Sequence, residues 1–178
     1  MPDGFYTIGH STRAISEFIE LLRDAGVALL ADVRAVPRSR TNPQFNREVL
    51  PEALVSAGIA YRHLAALGGL RGKSRTIPPE RNAFWRNQSF HNFADYAMTE
   101  PFRAGLADLL AWGGGEQRCA IFCAEAVWWR CHRRIIADYL VALGESVFHL
   151  VGSSVEPAHL TGAARVSDAG VLTYPSAA

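Results

Sequence analysis

The sequence lacks the features that direct a chain into or across a membrane. No apolar run approaches the roughly 18 residues that a membrane-spanning helix needs. The segment Met1–Gly4 has neither the basic nor the apolar region of a secretory signal, so we predict none. Only three cysteines are present, an odd number without the spacing of a disulfide framework. We therefore expect a chain that works in the reducing cytoplasm, with no membrane partner.

The sequence also lacks a strong net charge and the common nucleotide- and metal-binding motifs. The formal net charge is +1, which excludes a global field that would attract nucleic acid. None of the patterns G-x-G-x-x-G, G-x-x-x-x-G-K-[ST] and H-E-x-x-H occurs. The run Gly68–Ser74 has the wrong glycine spacing for a phosphate loop. The sequence therefore names no cofactor, and it does not set the oligomeric state.

What is present is a regular alternation of strand and helix patterns in a chain of 178 residues. Short apolar runs predict strands at 5–10, 27–33, 60–64, 119–122 and 146–151. Amphipathic repeats predict helices at about 15–25, 45–57, 91–98 and 101–112, and another after the fourth strand. The alternation predicts an α/β fold, a single-domain three-layer sandwich with a mostly parallel sheet of about five strands and helices on both faces. We place the domain in 1–152 and expect the tail, 153–178, to pack on the domain or to leave it.

The stretch from Ala120 to Ile136 carries most of the chemistry-bearing residues. It begins as a buried strand and ends as an amphipathic helix, and the turn between them holds Cys123, Glu125 and the run Arg130–Arg133. A strand that leads into a helix places such a turn at its carboxyl end, where the first helical N–H groups also point. Open α/β sheets bind their ligands at this edge.

Polar side chains end the other predicted strands as well, and parallel strands all end at one edge of the sheet. We therefore expect these residues to converge although they are distant in sequence. The candidate catalytic residues are Cys123, His10, Asp32 and Glu125. The candidate substrate-binding residues are Ser11, Thr12, Arg34, Arg38, Arg130, Cys131, His132 and Arg133.

Cys123 is the predicted nucleophile. A thiol near a helix N-terminus and beside arginines has a lowered pKa, and the thiolate is the reactive form. We expect Cys131 to be less reactive and able to act as a resolving thiol, and Cys119 to belong to the core. His10 would serve as the acid–base group, and Asp32 would orient an arginine or a histidine.

Arginines follow the second and fourth predicted strands and recur in the irregular segment 68–90. Their forked side chains match phosphate and carboxylate oxygens, which indicates an anionic small-molecule ligand. We expect the segment 68–90 to border the site as a mobile lid. The alternative interpretation of these arginines is a solvated basic face.

Three functions stay open from the residues alone. The favoured one is a thiol-dependent transferase or hydrolase acting on a small phosphate-, sulfur- or nucleotide-like anion. The second is a nucleotide or nucleic-acid binding module without catalysis, in which Trp85, Trp128 and Trp129 stack on bases. The third is a metal-dependent enzyme, although the spacing C-x7-C-H is not that of a structural zinc site, and we predict no metal ligands.

Several motifs resemble the prokaryotic family known as domain of unknown function 488. The resemblance covers about 5–151 and rests on Thr7–Thr12, Asp32–Arg34 with Pro37–Asn46, Leu67–Gly69, Phe93–Thr99 and the Cys-Ala-Glu…Cys-His-Arg element, 123–133. The last of these is the most specific. Membership of the family implies a site at these residues and does not imply a reaction.

A second, weaker resemblance is to rhodanese-like domains. Leu30–Arg34 is similar to their Asp-Val-Arg strand end, Ile121–Cys123 is similar to the strand before their cysteine loop, and Gly144–Gly152 is similar to their closing strand. In such domains the loop N–H groups hold an anion and the cysteine carries sulfur. The loop here departs from that pattern, because it is longer and contains Trp128, Trp129 and Cys131.

Overall fold

Six strands form the central sheet of the protein, in a computed structural model that describes residues 1–177. The strands are β1 (Phe5–Gly9), β2 (Val27–Asp32), β3 (Ala60–His63), β4 (Arg118–Cys123), β5 (Val147–Val151) and β6 (Ser154–Pro157). Their order in the sheet is β3-β2-β4-β1-β5-β6. The first five strands run parallel, and β6 pairs antiparallel with β5 at the edge.

Helices cover both faces of this sheet. They are α1 (Ile15–Asp24), α2 (Leu50–Val55), α3 (Gln88–Tyr96), α4 (Glu100–Gly113) and α5 (Arg133–Ala142). Apolar residues of α1 and α2 pack on one face, and those of α3, α4 and α5 pack on the other. The two central strands β1 and β4 are almost wholly buried, because a parallel sheet covered on both faces has no solvated side. The predicted α/β sandwich with a mostly parallel sheet is confirmed.

The tail adds structure that the strand patterns did not predict. Gly152 has a φ of +58°, a left-handed conformation that suits glycine and lets the chain turn directly from β5 into β6. Two short strands, β7 (Arg165–Val166) and β8 (Leu172–Thr173), then form a separate hairpin. Tyr174 is fully buried beyond them and donates a hydrogen bond to the carboxylate of Asp138, 2.9 Å away.

The helix expected at 45–57 is shorter than predicted, since α2 begins only at Leu50. The residues before it form a single 3₁₀ turn at Pro43–Phe45. Side chains compete for the backbone there: Asn46 Oδ1 accepts the N–H of Ser39 at 2.6 Å, and Ser39 Oγ accepts that of Asn42 at 3.0 Å. Such local bonds favour turns over helix.

The helix expected at 91–98 instead begins at Gln88. The side chain of Asn87 accepts the N–H groups of Ser89 and Phe90, which satisfies two donors at the helix start. Within residues 1–177, no helix has both the length and the apolar character that crossing a membrane requires.

Candidate active site

A cleft with a volume of about 330 Å³ opens at the carboxyl ends of β2 and β4. It is lined by Arg34, Ala35, Val36, Arg38, Gly69, Leu70, Ser89, Phe90, Cys123, Ala124, Glu125, Arg130, Cys131 and His132. The cleft thus brings together most of the candidate residues, from two distant parts of the chain, 34–38 and 123–132. The candidates that do not line it are His10, Ser11, Thr12, Asp32 and Arg133.

His10 is at the expected edge of the sheet but on the wrong face for acid–base chemistry at Cys123. Gly9 lies opposite Cys123 in the parallel pair, and side chains alternate between faces along a strand. The next residue, His10, therefore points away and stacks on Phe45, with ring centroids 4.4 Å apart. Its Nδ1 bonds to the carbonyl of Ser11 at 2.7 Å, and burial lowers its pKa.

Ser11 and Thr12 follow His10 and also stay outside the cleft. Ser11 has a φ of +48°, and its N–H donates to the carbonyl of Ala124 at 3.0 Å. A non-glycine residue in this left-handed region is uncommon. This hydrogen bond joins the end of β1 to the turn after Cys123. Ser11 therefore supports the backbone of the site without lining the cleft.

Asp32 orients an arginine, which is one of the two roles predicted for it. Its carboxylate is completely buried and accepts from the Nε and Nη2 of Arg34 at 2.9 and 2.7 Å, in addition to the Arg34 N–H. The hydroxyl of Tyr61 donates to the same carboxylate. With both oxygens occupied in this way, Asp32 is a support for Arg34 and not a catalytic group in the cleft.

Cys131 and His132 form a hydrogen-bonded pair in the cleft. Cys131 Sγ lies 3.5 Å from His132 Nδ1. The other ring nitrogen, Nε2, donates to the carbonyl of Val33 at 2.8 Å, which leaves Nδ1 to face the sulfur. A nucleophile, a base and a third group that orients the base are the parts of an activated-thiol site.

The close packing of Gly69 holds the imidazole of His132 in this position. A Cβ atom at Gly69 would lie 2.6 Å from Nδ1, so only glycine lets the backbone approach the ring this closely. Phe93 contacts the ring edge to face, with centroids 4.9 Å apart. The Gly-Gly pair that begins the long irregular segment is therefore explained by contact with the candidate base.

A buried arginine lies beside the two cleft thiols. Arg133, the first residue of α5, is 1% exposed, and its charge interacts with the thiols of both Cys123 and Cys131. Its Nη2 donates to the carbonyl of Glu125 at 2.7 Å. That carbonyl packs directly on Gly9, where any Cβ atom would overlap it. Arg133 is therefore buried beneath the cleft, and its charge affects the two thiols although its side chain does not line the cleft.

The two cleft thiols have opposite pKa shifts. Burial raises the pKa of Cys123 well above its ordinary value, and the neighbouring Cys131 raises it further. Burial alone would also raise the pKa of Cys131, but the neighbouring Cys123 thiol and the charges of His132 and Arg133 hold it well below its ordinary value. These directions make Cys131 the more acidic thiol of the two.

These pKa directions run against the prediction that Cys123 is the thiol with the lowered pKa. The helix begins at Arg133, two residues after Cys131, and its first N–H donates to Cys131 Sγ at 3.4 Å. Cys123 receives no such donor and contacts the carbonyl of Glu125 instead. Cys119 is fully buried in the core, as expected, and burial raises its pKa to about 12.

The rim of the cleft combines cations with exposed apolar groups. The Arg130 side chain forms no hydrogen bond or ion pair within residues 1–177, and that of Arg38 pairs only with Glu48, at 2.9 Å on the surface. Leu70 and Val36 are 76% and 61% exposed on the same rim. The segment 68–90 thus borders the site as predicted, and its mobility stays a prediction.

The tryptophans offer less free ring surface than the sequence suggested. Trp128 stacks on His149, with centroids 4.3 Å apart and an interplanar angle of 7°. Trp85 is 6% exposed and stacks on Phe90. Trp129 is 44% exposed and is the ring available for stacking on a base. Among the described residues, 1–177, no three His, Cys, Asp or Glu side chains are grouped as metal ligands.

Sequence analysis missed two residues that support Arg133. Thr7 Oγ1 lies 3.4 Å from Arg133 Nη1 and 2.7 Å from Nδ1 of His149. His149 was interpreted as structural because it follows no pattern, and Thr7 lies inside an apolar strand. The available signal was a polar residue in the middle of a buried strand, which requires a partner.

The family model described as domain of unknown function DUF488 matches residues 14–140, which is most of the chain and includes the cleft cysteines. The protein belongs to this family. No curated protein and no solved structure matches the chain significantly. The family resemblance seen in the sequence is thus confirmed, and the rhodanese-like resemblance stays a prediction.

Proposed function

We propose that the protein is a cysteine-dependent enzyme acting on a small substrate that carries an anionic group. The observation that carries this proposal is the arrangement of Cys131, His132 and the Val33 carbonyl at the base of a cleft. The nucleophile differs from the one expected, because Cys131 receives the helix N–H and has the lowered pKa.

The reaction class is transfer or hydrolysis through a covalent intermediate. The Cys131 thiolate attacks the electrophilic atom of the substrate, and a new bond to sulfur forms as the bond to the leaving group breaks. The proton on His132 Nδ1 passes to the leaving group. The same nitrogen then takes a proton from water or from a second nucleophile, which bonds to the transferred group. The bond from that group to sulfur breaks as this bond forms, so the product leaves and the thiolate is restored.

The anionic part of the substrate is inferred from the rim. Arg130 has no partner within residues 1–177, and the exposed Arg38–Glu48 pair is of the kind worth about 0–1 kcal/mol. Both side chains can therefore turn to a phosphate-, sulfur- or nucleotide-like group at little cost. We assign this chemistry to the reducing cytoplasm, because all three cysteines are free thiols.

Alkylation by iodoacetamide near neutral pH, followed by peptide mapping, tests the assignment of the nucleophile. We expect modification of Cys131 first, Cys123 second and Cys119 last, because reactivity follows the thiolate fraction. Modification of Cys123 or Cys119 ahead of Cys131 would remove the basis of the proposed mechanism.

The same reaction tests the anion site. Inorganic phosphate should slow alkylation of Cys131 more than chloride does at equal ionic strength, and Arg130→Gln should abolish this protection. The matched control is Arg103→Gln, which removes an equally exposed charge on α4 away from the cleft. Equal protection by phosphate in the Arg130 variant and the wild type would refute the anion site.

A further inference from the structure

Two thiols share the cleft, and the proposed mechanism uses only one of them. Cys123 and Cys131 both line the cleft. The Arg133 N–H donates to Cys131 Sγ at 3.4 Å, Cys123 Sγ contacts the Glu125 carbonyl at 3.9 Å, and each thiol shifts the pKa of the other. The side chain of Arg133 interacts with both sulfurs. The two thiols thus share one cleft and one buried cation.

We propose that Cys131 and Cys123 form a dithiol–disulfide couple that reduces a small hydroperoxide in the cleft. The inference rests on the proposed role of Cys131 as nucleophile and extends it to attack on an O–O bond. Cys123 becomes the resolving thiol, the role that sequence analysis expected for Cys131.

The first step is attack by the Cys131 thiolate on one peroxide oxygen. The S–O bond forms, the O–O bond breaks, and the leaving oxygen takes the proton from His132 Nδ1 and departs as water or an alcohol. Cys131 is oxidised to a sulfenic acid. Cys123 then attacks the sulfur of that sulfenic acid, so that the S–S bond forms, the S–O bond breaks and the Cys123 proton leaves with the hydroxyl as water.

The couple is completed by an external dithiol, which returns the two electrons through thiol–disulfide exchange. Over one cycle, a hydroperoxide is reduced to water and an alcohol, or to two waters, and the external dithiol is oxidised. The protein supplies the two sulfurs and the His132 proton.

The surroundings of Arg133 indicate that the disulfide is easily reduced. Arg133 is 1% exposed, and its Nε has no hydrogen-bond partner within residues 1–177. Oxidation removes the thiolate and leaves this buried charge with only the Glu125 carbonyl and Thr7 as partners. The buried cation stabilises the reduced form, so we expect the disulfide to have a high reduction potential. Such a potential is typical of catalytic disulfides and not of structural ones.

Peptide mapping after treatment with one equivalent of hydrogen peroxide tests the couple in the wild-type protein. We expect a Cys123–Cys131 disulfide, with Cys119 left as a thiol, and complete recovery of both thiols on addition of dithiothreitol. Cys123→Ser should instead accumulate a sulfenic acid on Cys131 that dimedone traps. Cys131→Ser should give neither product, and Cys119→Ala should behave as the wild type.

Two outcomes separate this inference from the proposed function. If iodoacetamide modifies Cys131 first but peroxide converts it to a sulfinic acid without a disulfide, the couple is refuted and the nucleophile assignment stands. If Cys131 is neither alkylated first nor oxidised, both are refuted. The wild-type experiment decides between these results without any variant.

The role of Arg133 is tested by equilibration with glutathione. Arg133→Met should shift the equilibrium toward the disulfide by at least about ten-fold, equivalent to about 30 mV, while Arg133→Lys should shift it less. An unchanged equilibrium in Arg133→Met would refute the stabilisation of the reduced form by this charge.

Discussion

Replacing Gly69 by alanine is the most direct test of how the candidate base is held. The added Cβ atom would lie 2.6 Å from His132 Nδ1, closer than non-bonded atoms can approach. The ring has little freedom to retreat, because Nε2 donates to the Val33 carbonyl at 2.8 Å and Phe93 packs against its edge. We therefore expect Gly69→Ala to move the imidazole away from the Cys131 sulfur.

The size of the effect follows from the interaction that is lost. A hydrogen bond to a charged group contributes about 1.5–3 kcal/mol, so its loss should raise the pKa of Cys131 by about one to two pH units. Below that pKa, the alkylation rate of Cys131 should fall by about ten- to a hundred-fold, since only the thiolate reacts.

The assay is the pH dependence of Cys131 alkylation, read by peptide mapping, together with the ultraviolet absorbance of the thiolate. Gly72→Ala is the matched control in the same segment, because a Cβ atom there would meet no atom within 4 Å. If Gly69→Ala titrates like the wild type and like Gly72→Ala, then His132 does not stabilise the thiolate and the pair has no chemical role.

The remaining predictions concern buried charges. Asp32→Ala should lower the free energy of unfolding by about 3–5 kcal/mol in urea denaturation, because it leaves Arg34 buried without its partner. Tyr61→Phe removes one hydrogen bond to the same carboxylate and should lower the free energy of unfolding by about 1 kcal/mol. Burial and the charge of Arg133 lower the pKa of His149 to about 3. A histidine in the unfolded chain titrates at about 6.5, so between about pH 3 and 6.5 the unfolded chain binds a proton that the folded protein does not. The free energy of unfolding should therefore fall as the pH drops below about 6.5, by up to about 1.4 kcal/mol per pH unit. His149→Asn should remove this slope.

Each of these predictions has an outcome that would contradict it. Equal losses of stability for Asp32→Ala and Tyr61→Phe would mean that Arg34 finds another partner. An unchanged slope in His149→Asn, or the same loss of slope in the exposed variant His159→Asn, would mean that His149 is not the group whose protonation destabilises the fold.

The order of elements along the chain was determined by sequence patterns alone. Apolar runs such as Val27–Val33 predict buried strands, because a parallel strand covered on both faces has no place for a polar residue. The parallel direction then brings Asp32, His63 and Cys123 to one edge, whatever the strand order. Fold class and the position of the site were therefore within reach of the sequence.

The order of the strands in the sheet and the added strand β6 could not be predicted from the sequence. Strand β1 lies in the sheet between β4 and β5, and nothing in the local pattern of Phe5–Gly9 specifies its neighbours. The tail residues Ser154–Pro157 are mostly exposed, so they show no apolar periodicity, and their backbone pairs with β5 only because a free edge is available.

The roles of the site residues were decided by the tertiary structure. The sequence placed His10, Cys123 and Cys131 at one edge, but side-chain direction depends on strand register, which places Gly9 and not His10 beside Cys123. Likewise, the start of helix α5 decides that Cys131 and not Cys123 receives a helical N–H. A pattern of residue types specifies which groups meet at an edge of the sheet, whereas faces, helix starts and distances within a few ångströms arise only from packing of the whole chain.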